Sequence, residues 1–236
     1  MPKAPLPSSL GLRSIALLAG LAPEKLETLA RECVWRNYAA HQRIIARDDG
    51  DRDVYLIVSG RVRVTTYSAA GRQVTFRDFV PGEHLGEVAA IDGMPRSADV
   101  VALESSLLAS VPPASFRRLL RDEPVVAERL LRGFAGLVRR LSERVIDLST
   151  LGVHQRLHAE LLRLAREAGV RGNRARIEPA PKHADLASQV STYREQVTRE
   201  LSALAKAGIL GKDGRALMVL DVARLEKSVE EVRSGA

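Results

Sequence analysis

The chain has 236 residues, of which 28% are charged and 45% apolar, and its formal net charge is +7. This composition is typical of globular proteins with one or two cores and excludes a wholly disordered chain. The apolar runs are too short to cross a bilayer, and the first residues lack the apolar core of a secretory signal. The single cysteine, Cys33, excludes an internal disulfide. We therefore expect a cytoplasmic protein, and its positive charge favours a polyanionic partner.

The N-terminal part of the sequence predicts a helix followed by short strands. Apolar residues from Ser14 to Arg31 recur at helical spacing, and Pro23 suits a first helical turn. Between Arg43 and Ala109 the pattern changes to a short buried-strand run, Val54–Val58, followed by alternating apolar and polar residues from Val62 to Val80. Turn signals stand at Ala70-Gly71 and Pro81-Gly82. Short, evenly spaced strands of this kind indicate a rolled antiparallel barrel, or jelly roll.

The most informative segment lies near the end of these strands, between Gly86 and Ala98. Glu87 has a carboxylate that can accept a hydrogen bond from a ribose hydroxyl, and Arg96 offers a fork of donors to a phosphate. Ser97 adds a hydroxyl and a backbone N–H beside the arginine. The small apolar run Val88-Ala89-Ala90-Ile91 predicts one tight turn whose N–H groups face an anion.

This segment resembles the phosphate-binding cassette of cyclic-nucleotide-binding domains, which has a GE…PRSA pattern. The alternative is an ordinary ion pair in a loop, because a Gly-Glu or an Arg-Ser dipeptide alone carries no signal. Their joint spacing within predicted strands favours the nucleotide site. The resemblance implies that the following residues bind the nucleotide: Gly86, Glu87, Val88, Ala89, Arg96, Ser97 and Ala98.

A long helix is predicted from about Val125 to Leu151, roughly 40 Å in length. Its apolar residues recur at alternating spacings of three and four, the heptad pattern of paired helices. They are Leu131, Phe134, Val138, Leu141, Val145 and Leu148. The alternative is a core helix lying on its own barrel, since Leu130, Leu137 and Ile146 widen the stripe. We favour a parallel homodimeric coiled coil.

Leu151-Gly152 ends this helix and predicts a hinge between a first domain, residues 1–150, and a second, residues 153–236. An amphipathic helix from Val153 to Ala168 and a basic loop from Gly169 to Pro181 follow. The next segment predicts two short helices joined by a tight turn, then a β-hairpin, then a last helix. The two short helices cover about Ala184–Gln189 and Tyr193–Lys206, and the last helix begins at Asp221.

The second short helix carries the residues that point to DNA. Thr192 is predicted to be its N-cap, with Glu195 completing a capping box. Arg194, Glu195 and Arg199 share one polar face at the helix start, the end that enters a major groove. Arginine can pair with guanine, and glutamate can accept from cytosine. Glu195 as a purely structural cap is the alternative.

The two helices resemble the helix-turn-helix of catabolite-activator and fumarate–nitrate-regulator (Crp/Fnr) transcription factors. Arg194, Glu195, Val197 and Arg199 keep the family pattern, whereas Tyr193 replaces a serine and Ser191 replaces the turn glycine. The resemblance implies a winged helix-turn-helix, half-sites of the TGTGA type and a polymerase partner. It assigns these DNA-binding residues: Thr192, Tyr193, Arg194, Glu195, Thr198 and Arg199.

The resemblance extends from about Ile15 to the hairpin, and it implies an α+β fold with a β-roll, a long dimerisation helix and a winged domain. In the family a threonine–serine pair on the long helix contacts the purine, and here those positions are Leu141 and Ser142. The implied effector is a 3′,5′-cyclic nucleotide, with cAMP ahead of cGMP. Leu141 favours an alternative, a ligand-independent regulator whose effector domain is vestigial or binds another ligand.

Other chemistry finds little support in the sequence. His154 and His158 stand four residues apart, a zinc-compatible spacing, but the sequence offers no third ligand nearby, so we expect a solvated or interdomain face. No nucleophile–base pair and no haem or iron–sulfur signature is present. We therefore expect neither an enzyme nor a metal, haem or cluster protein.

Overall fold

The computed structural model describes residues 9–67 and 73–233 and divides into two compact units, Met1–Gly136 and Leu137–Ala236. The first unit packs helices against β-sheets, and the second packs helices against a small sheet, so the α+β fold class is confirmed. The predicted turn at Ala70-Gly71 lies outside the described residues. In the part of the chain that the structure describes, no helix is long and apolar enough to span a membrane.

The described residues begin with three short helical segments, of which the last two take the place of the single helix predicted from Ser14 to Arg31. They are α1 (Ser9–Arg13), a 3-10 turn (Ala16–Leu18) and α2 (Pro23–Glu32). The break falls at Gly20, whose φ of 77° is a left-handed conformation that interrupts a helix. Pro23 occupies the first turn of α2, as predicted.

The first unit contains a β-roll of antiparallel strands, which confirms the predicted jelly-roll topology. Its two four-stranded sheets have the orders β1-β8-β3-β6 and β2-β7-β4-β5. The strands are β1 (Val34–Tyr38), β2 (Arg43–Ile45), β3 (Val54–Ser59), β4 (Val62–Tyr67), β5 (Gln73–Phe79), β6 (His84–Leu85), β7 (Asp99–Ala102) and β8 (Ser106–Val111). Strand β1 was not predicted, because its buried Trp35 and Tyr38 are three residues apart and do not alternate with period two.

Two apolar clusters hold the first unit together. One cluster joins the helices to the outer face of a sheet and includes Trp35, Leu56 and Phe116. The other lies between the two sheets and includes Ile57 and Leu108. Alternate strand residues therefore face opposite clusters, which fixes the register of the strands. The first cluster also contains Cys33, and its burial raises the pKa of the thiol to about 12.

Three helices follow the strands of the roll or interrupt them. They are α3 (Glu87–Asp92), α4 (Pro113–Asp122) and α5 (Pro124–Thr150). The long helix α5 matches its prediction within one residue at each end. Phe134 of the heptad stripe packs on the core of the first unit, whereas Leu131, Val138 and Val145 are 67%, 62% and 63% exposed.

The second unit has the order of elements that the sequence predicted, with one additional strand. Its elements are α6 (Val153–Ala168), β9 (Ala175–Ile177), α7 (His183–Gln189), α8 (Arg194–Lys206), β10 (Leu210–Asp213), β11 (Ala216–Val219) and α9 (Val222–Arg233). Strands β10 and β11 form the predicted hairpin, and β9 pairs with β11. The segment from Gly169 to Pro181 was predicted as a loop, and the three residues of β9 are too few to show a strand period.

The turn between α7 and α8 departs from the prediction in its capping. Tyr193, not Thr192, is the N-cap of α8, and no side chain caps this end. Thr192 is 5% exposed, and its hydroxyl donates to the side chain of Gln196, so the predicted capping box with Glu195 does not form. Ser191 has a φ of 57°, a left-handed conformation that favours glycine.

Replacing Ser191 by glycine is expected to raise the free energy of unfolding by about 1 kcal/mol, because an L residue in this conformation costs about 1–2 kcal/mol. Urea denaturation of the whole chain measures the change. Ser191→Ala keeps a Cβ at the same φ and should give no increase. Equal stabilities for the glycine and alanine variants would contradict the role of backbone strain.

Candidate functional site

Glycine is required at the start of the predicted cassette. Gly86 has a φ of 88°, and a Cβ there would lie 2.7 Å from Arg96 Nη1 and 2.8 Å from the carbonyl oxygen of Asp53. The apolar run that follows was predicted as a tight turn, but it forms the helix α3. A second left-handed glycine, Gly93, ends this helix, so the two glycines define its length. Ala89 is buried against the core, and Val88 is 39% exposed.

Arg96 is a buried cation held by the loop before β3 and by Gly86. Its side chain is 3% exposed. Nη1 donates to the Gly86 carbonyl over 3.0 Å, and Nη2 donates to the Asp53 carbonyl over 2.7 Å and to Asp51 Oδ2 over 2.8 Å. These bonds engage both terminal nitrogens of the guanidinium, whereas Nε has no hydrogen-bond partner.

Two unsatisfied polar atoms mark the cassette. Within the described residues, three buried side-chain nitrogen or oxygen atoms lack a hydrogen-bond partner: Arg61 Nε, Glu87 Oε2 and Arg96 Nε. Leaving a buried donor or acceptor unpaired costs about 1–3 kcal/mol, so such atoms in a folded protein call for a ligand or a bound water. One acceptor and one donor of this kind belong to the two residues that the sequence selected for ribose and phosphate.

The other predicted nucleotide-binding residues are more accessible. Ser97 is exposed and Ala98 is half-buried. Leu141 and Ser142 belong to the second compact unit, where both are exposed on α5 and Leu141 is 44% exposed.

Asp51 is a residue that sequence reasoning missed, because nothing distinguishes it among the acids of its loop. The Tyr55 hydroxyl donates to its Oδ2 over 2.8 Å, beside the bond from Arg96. Burial would raise the pKa of Asp51, but hydrogen bonds from Arg96, the Asp53 N–H and Tyr55 together hold that pKa below its ordinary value. Asp51, Asp53 and Tyr55 also line a cavity of about 350 Å³, whose lining does not include Glu87 or Arg96.

Replacing Asp51 by asparagine is expected to lower the free energy of unfolding by about 1 kcal/mol at pH 7, a value discounted for its partial exposure. Because the folded state lowers this pKa, the stabilisation is present above about pH 4, the ordinary aspartate range, and is lost as the pH falls through the folded value. Urea denaturation at pH 7 and pH 3 tests this. The difference between the wild type and Asp51→Asn should be smaller at pH 3 than at pH 7, and an equal difference at both pH values would contradict the assignment. The control Asp122→Asn, on an exposed acid, should change little.

The predicted DNA-binding residues lie at the start of α8. Tyr193, Arg194, Glu195 and Arg199 are exposed, while Thr192 is buried in the turn. Val197 is fully buried and fixes which face of the helix is turned to solvent. The arrangement presents both a donor fork and a carboxylate at one end of a helix, the chemistry required to read base edges.

One exposed hydroxyl of this helix is fixed by a residue that the sequence did not single out. Thr198 Oγ1 donates to the Arg194 carbonyl over 3.0 Å and is 2.7 Å from His183 Nδ1. Because the Thr198 hydroxyl proton is donated to the Arg194 carbonyl, the hydroxyl oxygen accepts a hydrogen bond from the His183 imidazole N–H. His183 at the start of α7 therefore orients Thr198 on α8.

The histidine pair of α6 packs inside the second unit, so the prediction of a solvated face is wrong for His158. His158 Nε2 lies 2.6 Å from Glu200 Oε1, and its Nδ1 lies 2.8 Å from Ser228 Oγ. Burial opposes ionisation of Glu200, but the hydrogen bonds from His158 and His154 outweigh it and lower its pKa. Among the residues that the structure describes, no group of three or more His, Cys, Asp or Glu could hold a metal ion.

Comparison with known proteins identifies the family. Residues 35–123 match the cyclic nucleotide-binding domain, and residues 155–228 match the Crp-like helix-turn-helix domain. The cyclic AMP receptor protein of Thermus thermophilus is 32% identical over 219 residues, which cover 92% of this chain and 97% of that protein. The chain belongs to the CRP/FNR family of transcription regulators. It is a DNA-binding transcription regulator with a cyclic nucleotide-binding domain.

Further relatives agree with membership of the CRP/FNR family. The CRP-like cAMP-activated global transcriptional regulator of Mycobacterium tuberculosis is 25% identical, with 92% of this chain and 97% of that protein covered. The crystal structure of the Thermus thermophilus catabolite activator protein matches with 30% identity and a TM-score of 0.52, over 92% of this chain and 99% of that one. A CooA mutant from Carboxydothermus hydrogenoformans, at 18% identity, shares the fold with a TM-score of 0.76, over 95% of this chain and 97% of that one.

Proposed function

We propose that this regulator is a homodimer whose binding to a palindromic DNA site is gated by a cyclic nucleotide held in the β-roll, with cAMP favoured over cGMP. The observation that carries the proposal is the pair of unpaired buried atoms in one cassette, Glu87 Oε2 and Arg96 Nε. A carboxylate oxygen complements a ribose hydroxyl, and a guanidinium N–H complements a cyclic phosphate. The residues present therefore suit this class of ligand.

In this proposal Arg96 serves two anions at once. Its terminal nitrogens stay on Asp51 and on backbone carbonyls, while Nε–H is available to the phosphate. Ser97, the next residue in the chain, is exposed and supplies a hydroxyl as a second donor. Because the guanidinium is buried, its attraction to an added anion is screened less than at the surface. Glu87 accepts from the ribose hydroxyl and so distinguishes a nucleotide from inorganic phosphate.

The preference for cAMP has support in the relatives, two of which are named for cyclic AMP. Leu141 and Ser142 are the proposed contacts of the purine base. Leu141 cannot donate or accept a hydrogen bond, so base selection at this position would depend on packing. The same residue favours the second candidate, a regulator that binds DNA without a nucleotide.

The exposed stripe of α5 supports the homodimer. Leu131, Val138 and Val145 are each more than 60% exposed and continue one heptad seam. A second copy of α5 would bury them, because two identical seams are complementary. A symmetric dimer places its two recognition helices about 34 Å apart, one turn of DNA, and so suits a palindromic site.

Titration calorimetry of the whole protein with cAMP and, separately, cGMP tests the gating. We expect saturable binding of cAMP that becomes at least about ten-fold weaker in Arg96→Leu, because hydrogen bonds to charged groups contribute about 1.5–3 kcal/mol. Arg118→Leu, which removes an arginine paired with Glu32 in the same unit, is the matched control. The melting temperature of each variant checks that it is folded.

Wild-type affinity in the Arg96→Leu variant would overturn the assignment of the phosphate site. If the wild type bound neither nucleotide and its affinity for DNA were the same with and without them, the ligand-independent candidate would be the better description.

Replacing Arg194 by alanine is expected to relax specificity at one base pair by about 1–3 kcal/mol, as for an arginine that pairs with guanine. Binding to a set of single-base variants of a palindromic duplex measures this, and a duplex with one half-site checks the stoichiometry of the dimer. Lys206→Ala removes a cation at the far end of α8 as a control. A loss that is equal on all duplexes would instead assign Arg194 to a phosphate.

A further inference from the structure

The end of helix α7 is capped by two arginines from neighbouring helices. The last carbonyls of a helix have no partner within it and carry partial negative charge, which favours a cation there. Arg144 Nη2, from α5, donates to the Gln189 carbonyl over 3.0 Å. Arg156 Nε, from α6, donates to the Val190 carbonyl over 3.0 Å. The helix that precedes the turn into α8 is therefore held at its last two carbonyls.

Arg156 also binds the end of α5. Its Nη1 donates over 2.9 Å to the carbonyl of Leu151, the residue that follows α5 and is 4% exposed. One planar guanidinium therefore joins the end of the long helix to the end of α7, and its fork keeps the two carbonyls at a fixed separation. Arg144 adds a second link between the same two helices.

The capped carbonyls lie directly before the strained residue of the turn. Ser191 follows Val190 and has its φ of 57°, and the Thr192 N–H then donates to the Ala187 carbonyl over 2.9 Å. These few residues form the turn through which the chain enters α8. Arg144 is half-buried where it donates to the Gln189 carbonyl; this burial lowers the pKa of its guanidinium, and the Glu160 carboxylate opposes the shift.

We propose that Arg144 and Arg156 are positioning residues for DNA recognition: they fix the turn before α8 to the end of α5 and so set the orientation of the recognition helix. Neither residue needs to touch DNA for this role. Leu141 and Ser142 precede Arg144 within one turn of α5. Resting on the nucleotide gating proposed above, we expect nucleotide binding at Leu141 and Ser142 to change the turn before α8 through the same two arginines.

The test compares Arg144→Met and Arg156→Met with the control Arg140→Met. The control removes an exposed arginine from α5, four residues before Arg144. Methionine keeps the apolar stem and removes the donors. The duplex used is the sequence that the wild-type protein selects from a random pool, and a scrambled duplex gives the non-specific affinity. We expect the ratio of specific to non-specific affinity to fall about three- to ten-fold in both variants and to stay unchanged in the control.

Hydrogen exchange supplies a readout that needs neither DNA nor nucleotide. We expect the amides of Val190 and Thr192 to exchange about ten-fold faster in both variants, because the turn opens more often once its carbonyls lose their donors. The control should exchange at the wild-type rate. Wild-type exchange rates in both variants would show that the two arginines do not hold the turn and would overturn the proposal. Faster exchange with an unchanged ratio of specific to non-specific affinity would show that they stabilise the turn without positioning α8 for DNA recognition.

Measurements with cAMP distinguish a failure of this proposal from a failure of the nucleotide gating. If the wild type fails to bind cAMP in the calorimeter, the gating proposal fails, while the affinity ratio and the exchange rates still decide the role of the two arginines. If cAMP raises the affinity of the wild type for DNA, we expect it to raise that of both variants by a smaller factor. Their affinity for cAMP itself should equal that of the wild type. An undiminished response in both would overturn the passage of the ligand state through this link.

Discussion

The buried guanidinium of Arg96 is the constraint around which the first unit is organised. A buried cation must be compensated by hydrogen bonds and by an anion, since the alternative is a large desolvation cost. Asp51, the Asp53 carbonyl and the Gly86 carbonyl supply this compensation. The loop before β3, the left-handed glycine before α3 and the cassette arginine are therefore one assembly. The geometry of any anion site here depends on all three.

Sequence patterns predicted those elements whose period or chemistry is local. The heptad of α5, the continuous apolar run of β3, the alternation of β4 and the two helices around the DNA-reading turn all follow from residues close in sequence. The short helix α3 was mistaken for a turn, because four small apolar residues fit either structure and the flanking glycines decide. The first helix was overextended for the same reason, since Gly20 breaks a pattern that otherwise continues.

The candidate site could be predicted only in part. Glu87, Arg96 and Ser97 were found because their motif is contiguous, whereas Asp51 reaches Arg96 across 45 positions of the chain. The same limit applies to His158, whose partners Glu200 and Ser228 come from two other helices. Contacts between elements distant in sequence leave no spacing to detect. A single sequence therefore identifies the residues that meet a ligand more readily than those that hold them.

The deep burial of Cys33 has a practical consequence. Its thiol is packed among apolar side chains, and its pKa of about 12 keeps it protonated and weakly nucleophilic at neutral pH. As this is the chain's one cysteine, a second cysteine introduced at an exposed position would react with thiol-directed reagents far faster than the native one. A fluorophore or spin label could thus be attached to a single chosen point without first removing Cys33.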